Sequence, residues 1–315
     1  MRNGNNRLPL VTVAGAFQNG KSTLVNCLLD DQYAPMGKGL RTTTCCSYFR
    51  YGEAEVATLV HGKTGKEEVL DRREVIFDPA FSCTGKDYIE ITCWKPLLQK
   101  AVLADTPGFE ANKQDDEAAM SAIHDSDIVV FVHDTKQLDE SARHILDMVQ
   151  DEGKRLLFLL NCKDESYWHP QDNKNAKLAQ VLEAQLAEMG WDYFLIRIQG
   201  RTVWPCNPLF AWYALGHLQR NLDNQNEQVR KDAEEQIDSI QFFCKKQSRK
   251  DPGWTGVKSK ELLLNASGIL EIRRIIENAA MDPVMRLCAD PVGEILALTK
   301  QWATQIEASF QQERS

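Results

Sequence analysis

Residues 10–29 read LVTVAGAFQNGKSTLVNCLL, and their reading decides the fold. The apolar run LVTVA meets Gly15-Ala16-Phe17-Gln18-Asn19-Gly20-Lys21-Ser22, a GxxxxGKS pattern, and the apolar pattern TLVNCLL follows. Strand, glycine-bounded loop and helix in that order are the context in which this pattern cradles phosphate. Gly15 and Gly20 permit backbone angles that turn successive amides toward phosphate oxygens. Lys21 brings positive charge to the β- and γ-phosphates. The Ser22 hydroxyl is placed to ligate magnesium, and the helix N-terminus adds its dipole. Gln18, Asn19 and Thr23 complete the set expected around the phosphates. A chance glycine-rich turn leaves the flanking strand and helix unexplained, so the stretch is read as a nucleotide site.

Outward from this stretch, short apolar runs alternate with helical patterns as far as about residue 220, an α/β signature. Strands are expected at 8–14, 45–51, 101–104, 128–133, 155–161 and 194–198. Helices are expected at 20–29, 115–123, 141–152, 175–189 and 209–221. Two further strand-like pieces, 55–61 and 88–94, look like added edge strands. Residues 223–250 are polar, with Val229, Ala233, Ile237 and Ile240 spaced along one helical stripe. A last helix carries Val292, Ile295, Leu296, Trp302 and Phe310.

The chain has 315 residues, of which 43% are hydrophobic and 26% charged, an ordinary globular composition. At this length the core buries enough surface to need no disulfide or metal staples. The nine cysteines form no CxxC pair and are read as buried, reduced thiols. No apolar run has the length of a membrane span, and residues 1–8 lack a signal-peptide core, so a cytoplasmic location is expected. The net charge of −8 disfavours a nucleic-acid partner. The cluster Lys245, Lys246, Arg249 and Lys250 is read as a solvated helix end.

The second motif is Asp105-Thr106-Pro107-Gly108, directly after the apolar run AVLA. An acidic residue at a strand end beside the phosphate loop holds magnesium through water. The Gly108 amide is placed to meet the γ-phosphate, so hydrolysis is expected to release this loop. A surface turn explains DTPG alone equally well, but not its spacing from GKS. After RLLFLLN comes Asn161-Cys162-Lys163-Asp164. A carboxylate accepts two hydrogen bonds from guanine that adenine cannot supply, which makes Asp164 the specificity candidate and Asn161 its brace. The usual pattern is NKxD, whose lysine covers the base. Here that position is Cys162, and Lys163, one residue late, is expected to point elsewhere, though it stays in the nucleotide-binding set. A loop amide at Cys206 is placed to meet the guanine carbonyl.

On these residues the chain resembles a GTPase domain of the translation-factor-related class, and within it the bacterial dynamin-like family. VTVAGAFQNGKSTLVNCLL, GLRTTTCCSYFRYG, LLQKAVLADTPGFE and LLFLLNCKD carry the likeness, with SGILEI at 267–272 as a weaker match. The resemblance implies a P-loop GTPase fold with a mostly parallel central sheet flanked by helices and a C-terminal helical extension. Residues 1–280 would be the GTPase domain, with a helical insert at about 221–258. Residues 281–315 would be a C-terminal helix, a truncated neck. Aligned from Arg50-Tyr51-Gly52, Thr43 falls on the switch threonine that binds magnesium and places the attacking water. The implied catalytic set is Lys21, Thr43 and Gly108, and the implied magnesium set is Ser22, Thr43 and Asp105. The implied substrate and product are GTP and GDP.

The departures matter. Arg41 replaces a proline of the switch, and Gln18 and Asn19 stand where a monovalent-cation site carries serine. Phe109 follows DTPG where small signalling GTPases carry a water-orienting glutamine. The resemblance therefore implies hydrolysis completed by nucleotide-dependent homodimerisation. A helical partner protein and a membrane surface are the further partner classes, the latter adding the inner face of a membrane as a location. Two alternatives stay open: a non-hydrolysing GTP-dependent interaction module working with a separate protein, and a ribosome- or tRNA-associated GTPase, against which the acidic balance counts. His133-Asp134 is read as a polar strand end rather than a catalytic pair. Trp204, Trp212 and Tyr213 are read as core.

Overall fold

The computed structural model describes residues 7–34, 45–71, 87–109, 113–163, 169–170, 172–191, 194–224, 227–252 and 254–281. Thr43, Asp164, Arg41 and the apolar stripe beyond residue 281 lie outside them.

The strands are β1 (Leu10–Ala14), β2 (Ser47–Tyr51), β3 (Val56–Val60), β4 (Glu67–Leu70), β5 (Tyr88–Cys93), β6 (Val102–Asp105), β7 (Ile128–His133), β8 (Arg155–Asn161) and β9 (Val203–Cys206). They form a 9-stranded sheet in the order β4-β3-β5-β2-β6-β1-β7-β8-β9. From β6 to β9 every pairing is parallel. β2 runs antiparallel to β6, and β3 antiparallel to β4 and β5. The central strands β1, β6 and β7 are buried along their whole length, as strands covered on both faces must be.

The helices are α1 (Lys21–Leu29), α2 (Lys113–Asp125), α3 (Glu140–Asp151), α4 (Asn173–Glu188), α5 (Pro208–Ala214), α6 (His217–Arg220), α7 (Glu227–Ser248), α8 (Gly256–Ala266) and α9 (Ile269–Met281). Two core clusters sandwich the sheet. α1, α5, α7, α8 and α9 supply one, with Leu24, Phe210, Ile237, Leu263 and Ile272. The other takes Ile123, Ile145 and Leu182 from α2, α3 and α4. β8 shows the pleat dividing its side chains: Leu157 and Leu159 enter the first cluster, and Leu156, Phe158, Leu160 and Cys162 the second. α3 starts where Asp139 accepts from Ala142 N at 2.9 Å, an N-cap.

Several expectations need correction. The run 194–198 is not a strand. It meets β8 in one bridge, Leu156 with Leu195, before the chain turns back at Gln199-Gly200. The last strand is Val203–Cys206, which rejoins β8 higher up with Phe158 opposite Val203. Its Pro205 is tolerated because β9 is an edge. Tyr88–Cys93 is not an edge strand, since it pairs with both β2 and β3; β4, unforeseen in the sequence, takes the edge. The helix expected at 209–221 is divided at Leu215-Gly216. Cys45 is disulfide-bonded, against the expectation of reduced thiols throughout.

Candidate functional site

The carboxyl ends of β1, β6, β7, β8 and β9 converge on one edge of the sheet, where open α/β sheets bind their ligands. The loop from Gly15 to Gly20 crosses this edge, and its carbonyls are held by groups around it. Gly15 O accepts from Phe109 N at 3.3 Å, and Ala16 O accepts from Asn19 N at 3.3 Å. Ala16 O also accepts from Lys21 Nζ at 3.0 Å. Gln18 O accepts from Lys163 Nζ at 2.9 Å, and Asn19 O from Asn161 Nδ2 at 2.8 Å. The Asn19 side chain reaches across to Val132 O at 3.1 Å. The Phe17 amide is spent on Phe109 O and the Asn19 amide on Ala16 O, so with the carbonyls engaged as well, an anion is left the other amides of the loop and of the start of α1. Gly20, with φ 86, closes the loop; a Cβ there would run into Nδ2 of Asn161. Any other residue at 20 therefore breaks the brace or the turn.

Beneath the loop, Ser22 Oγ donates to Asp105 Oδ2 at 2.7 Å. Asp105 is wholly buried, and its Oδ1 has no hydrogen-bond partner among the described residues. Burial pushes this carboxyl up to about 6, opposed by the Ser22 hydrogen bond and the Lys21 charge. Lys21 is 6% exposed. Burial lowers its ammonium to about 8, with Asp105 pulling the other way. A buried carboxylate oxygen without a donor, beside a hydroxyl, is an oxygen-rich site suited to a hard divalent cation. Ser22 and Asp105 thus fit magnesium. Gly108 lies against the backbone of Phe17, bringing the acidic turn onto the phosphate loop.

At the base-reading corner, the ladder between β8 and β9 runs one residue past the strand, with Cys162 N donating to Cys206 O at 2.7 Å. The chain then bends, with Lys163 N donating back to Asn161 O at 2.9 Å. Cys162 turns into the core at 0% exposure, and burial pushes its thiol up to about 12. Lys163 Nζ spans to Gln18 O of the phosphate loop at 2.9 Å, which corrects the expectation that it points elsewhere. Cys206 ends β9 with its side chain buried in the core. Sequence reasoning missed the role of Asn207. Its Nδ2 donates to Cys162 O at 2.9 Å, and its Oδ1 accepts from Phe210 N at 3.2 Å, so one side chain caps α5 and ties two loops. Asn followed by Pro208 at the first helical position was the available signal.

The smaller candidates take structural places. His133 is buried against the rings of Phe131 and Phe158, and this burial lowers its pKa. Trp204 Nε1 donates to Gly268 O at 3.3 Å, and Asn207 N donates to Ser267 O at 2.8 Å. The SGILEI stretch therefore docks on the end of β9. Trp212 and Tyr213 are core residues. Tyr167 and Trp168 lie outside the described residues, whereas His169 meets Phe243 and Trp254, with ring centroids 6.0 and 6.1 Å away. Among the described residues no helix is long and apolar enough to cross a membrane.

Residues 11–163 match the model of the Dynamin family. Dynamin-like protein 2 from Campylobacter jejuni is 25% identical over 170 residues, a match that covers 52% of this chain. The match spans 27% of that relative's length. A solved structure described as an oligomerised bacterial dynamin pair aligns over 76% of this chain and 38% of its own, with TM-score 0.48 and 16% identity. Era from Aquifex aeolicus, solved with GDP and AlF4−, aligns over 64% of this chain and 52% of its own. Its TM-score is 0.38 and its identity 15%.

Proposed function

We propose, from the premise that residues 11–163 form a Dynamin-family GTPase domain, that this chain binds magnesium–GTP, cleaves it to GDP and phosphate, and completes its site by pairing with a second copy of its head. The observation that carries the reading is the phosphate loop with its carbonyls held by surrounding donors, set above the Ser22–Asp105 pair and its unpartnered Oδ1. The amides and Lys21, still largely protonated at neutral pH with a pKa of about 8, stabilise charge that builds on the β- and γ-phosphate oxygens. Ser22 and Asp105 would hold magnesium, which neutralises phosphate charge when bound. Thr43 is assigned to the attacking water and Asp164 to the guanine edge, both from the motif. Water attacks the γ-phosphorus in line as its bond to the β–γ bridging oxygen breaks, and the water's proton leaves with inorganic phosphate.

Phe109, whose ring is 2% exposed, brings no polar group toward that water. Positioning and charge stabilisation carry most of phosphoryl transfer, so an isolated head is a poor catalyst. A second head docked across the nucleotide would order the switch around Thr43 and exclude bulk water. The test is light scattering with GDP, GTP and GDP–aluminium fluoride, alongside turnover measured over a dilution series. A dimer trapped by the transition-state analogue, with a rate per molecule that rises with concentration, supports the proposal. A constant rate with only monomer trapped refutes the pairing. No turnover in either regime refutes hydrolysis and leaves the interaction-module reading.

A further inference from the structure

The helix after the phosphate loop carries one amide side chain in an otherwise apolar run. Asn26 of α1 is fully buried, and so are its neighbours in sequence Val25, Cys27, Leu28 and Leu29. Both ends of its amide are bonded to one short piece of backbone. Oδ1 accepts from Tyr33 N and from Ala34 N, each at 2.8 Å. Nδ2 donates to Ala34 O at 2.9 Å. None of this is needed to end the helix, because the Asp30 amide returns to Cys27 O and the Asp31 amide to Asn26 O. A buried amide satisfied in this way fixes one backbone geometry, where an apolar side chain would only fill space.

The piece so held is the root of residues 35–44, the stretch with Arg41 and Thr43 that lies outside the described residues. Tyr33 is held a second time. Its buried ring meets Phe49 of β2 edge-on with centroids 6.3 Å apart, and Lys95 Nζ lies 5.4 Å from its centre. The other root is fixed as well. Cys46 Sγ donates to Ala118 O of α2 at 3.3 Å, and Ser47 then pairs opposite Asp105.

We infer that Asn26 is a positioning residue for hydrolysis: through Tyr33 and Ala34 it sets the point from which the chain leaves α1 toward Thr43. This rests on the proposed GTP reading, in which Thr43 is assigned to the attacking water. The Asn26 side chain is spent on backbone, so it acts on that water only through the segment it anchors. Its loss should therefore fall on turnover, which needs Thr43, and spare GDP binding, which does not.

Three measurements on the full chain test this, with wild type, Asn26→Leu and Asn26→Asp. Leucine keeps the volume and removes every bond to 33–34, whereas aspartate keeps an acceptor for the two amides. Asn26→Leu should lower single-turnover hydrolysis by about tenfold to a hundredfold, the scale on which a small misplacement acts. Calorimetry should find its GDP affinity within about twofold of wild type. Asn26→Asp should recover part of the lost rate at the same GDP affinity. By amide hydrogen exchange, Tyr33 and Ala34 should be slow in wild type and Asn26→Asp and fast in Asn26→Leu. A rate unchanged in Asn26→Leu, or equal losses of rate and GDP affinity, overturns the positioning role and leaves Asn26 a packing residue. Rapid exchange of both amides in wild type overturns the anchor itself. Should Asn26→Leu not fold, Asn26→Asp decides on the same split between rate and GDP affinity. A wild type that neither binds nor cleaves GTP overturns the GTP reading instead, while the exchange of the two amides still reads the anchor.

Discussion

Cys162→Lys writes the usual NKxD into the chain, and it should unsettle the fold instead of improving nucleotide binding. Cys162 is fully buried, facing the cluster of Leu160, Phe158 and Leu182, and its amide is fixed to Cys206 O at 2.7 Å. A lysine there must overpack this face, at about 1–3 kcal/mol. It must also bury an ammonium without a partner, at several kcal/mol, or pull the ladder apart to escape. A loss of about 4 kcal/mol is expected, which for a domain of this size lowers Tm by about 8–16 °C. The assay is thermal unfolding with GDP titration on the same samples. The companion variant Lys163→Ala removes the tie to Gln18 O. It should leave Tm nearly unchanged while weakening GDP by about threefold to tenfold. A Cys162→Lys protein that melts like wild type and binds GDP more tightly would refute the reasoning, since position 162 could not then be held in the core by its bond to Cys206 O.

Other substitutions test other parts of the site. Gly20→Ala should cost nucleotide affinity and stability together, because φ 86 and the Asn161 amide both exclude a Cβ; calorimetry with GDP checks it. Thr43→Ala should abolish turnover while sparing GDP affinity, since GDP lacks the γ-phosphate assigned to this threonine; parallel hydrolysis and binding assays would expose equal losses. Asn207→Ala should loosen both the base corner and the start of α5, lowering Tm by about 2–8 °C, as loss of a cap and a buried hydrogen bond requires.

What the sequence made legible was local. GxxxxGKS between an apolar run and an apolar helical pattern is a strand–loop–helix whatever surrounds it, and β1 and α1 follow it closely. DTPG after AVLA likewise brings Asp105 to Ser22. What stayed hidden depends on pairing between distant segments. Whether 162 or 163 faces the phosphate loop is decided by the bond from Cys162 N to Cys206 O, which no local pattern encodes. The apolar run 194–198 reads as a strand because Ile196 and Ile198 are buried, yet the turn at Gln199-Gly200 hands the edge to Val203–Cys206. The charged Glu67–Leu70 gives no apolar alternation, so an exposed edge strand passes for a loop.

The central claim is that this site binds and cleaves GTP. The direct measurement is single-turnover hydrolysis of radiolabelled GTP at high protein concentration, with magnesium, with excess ATP as competitor, and with Lys21→Ala alongside. The account predicts magnesium-dependent phosphate release that ATP barely competes and that Lys21→Ala loses while remaining folded by circular dichroism. GTP that wild type does not bind, or release equally suppressed by ATP and retained in Lys21→Ala, would contradict it.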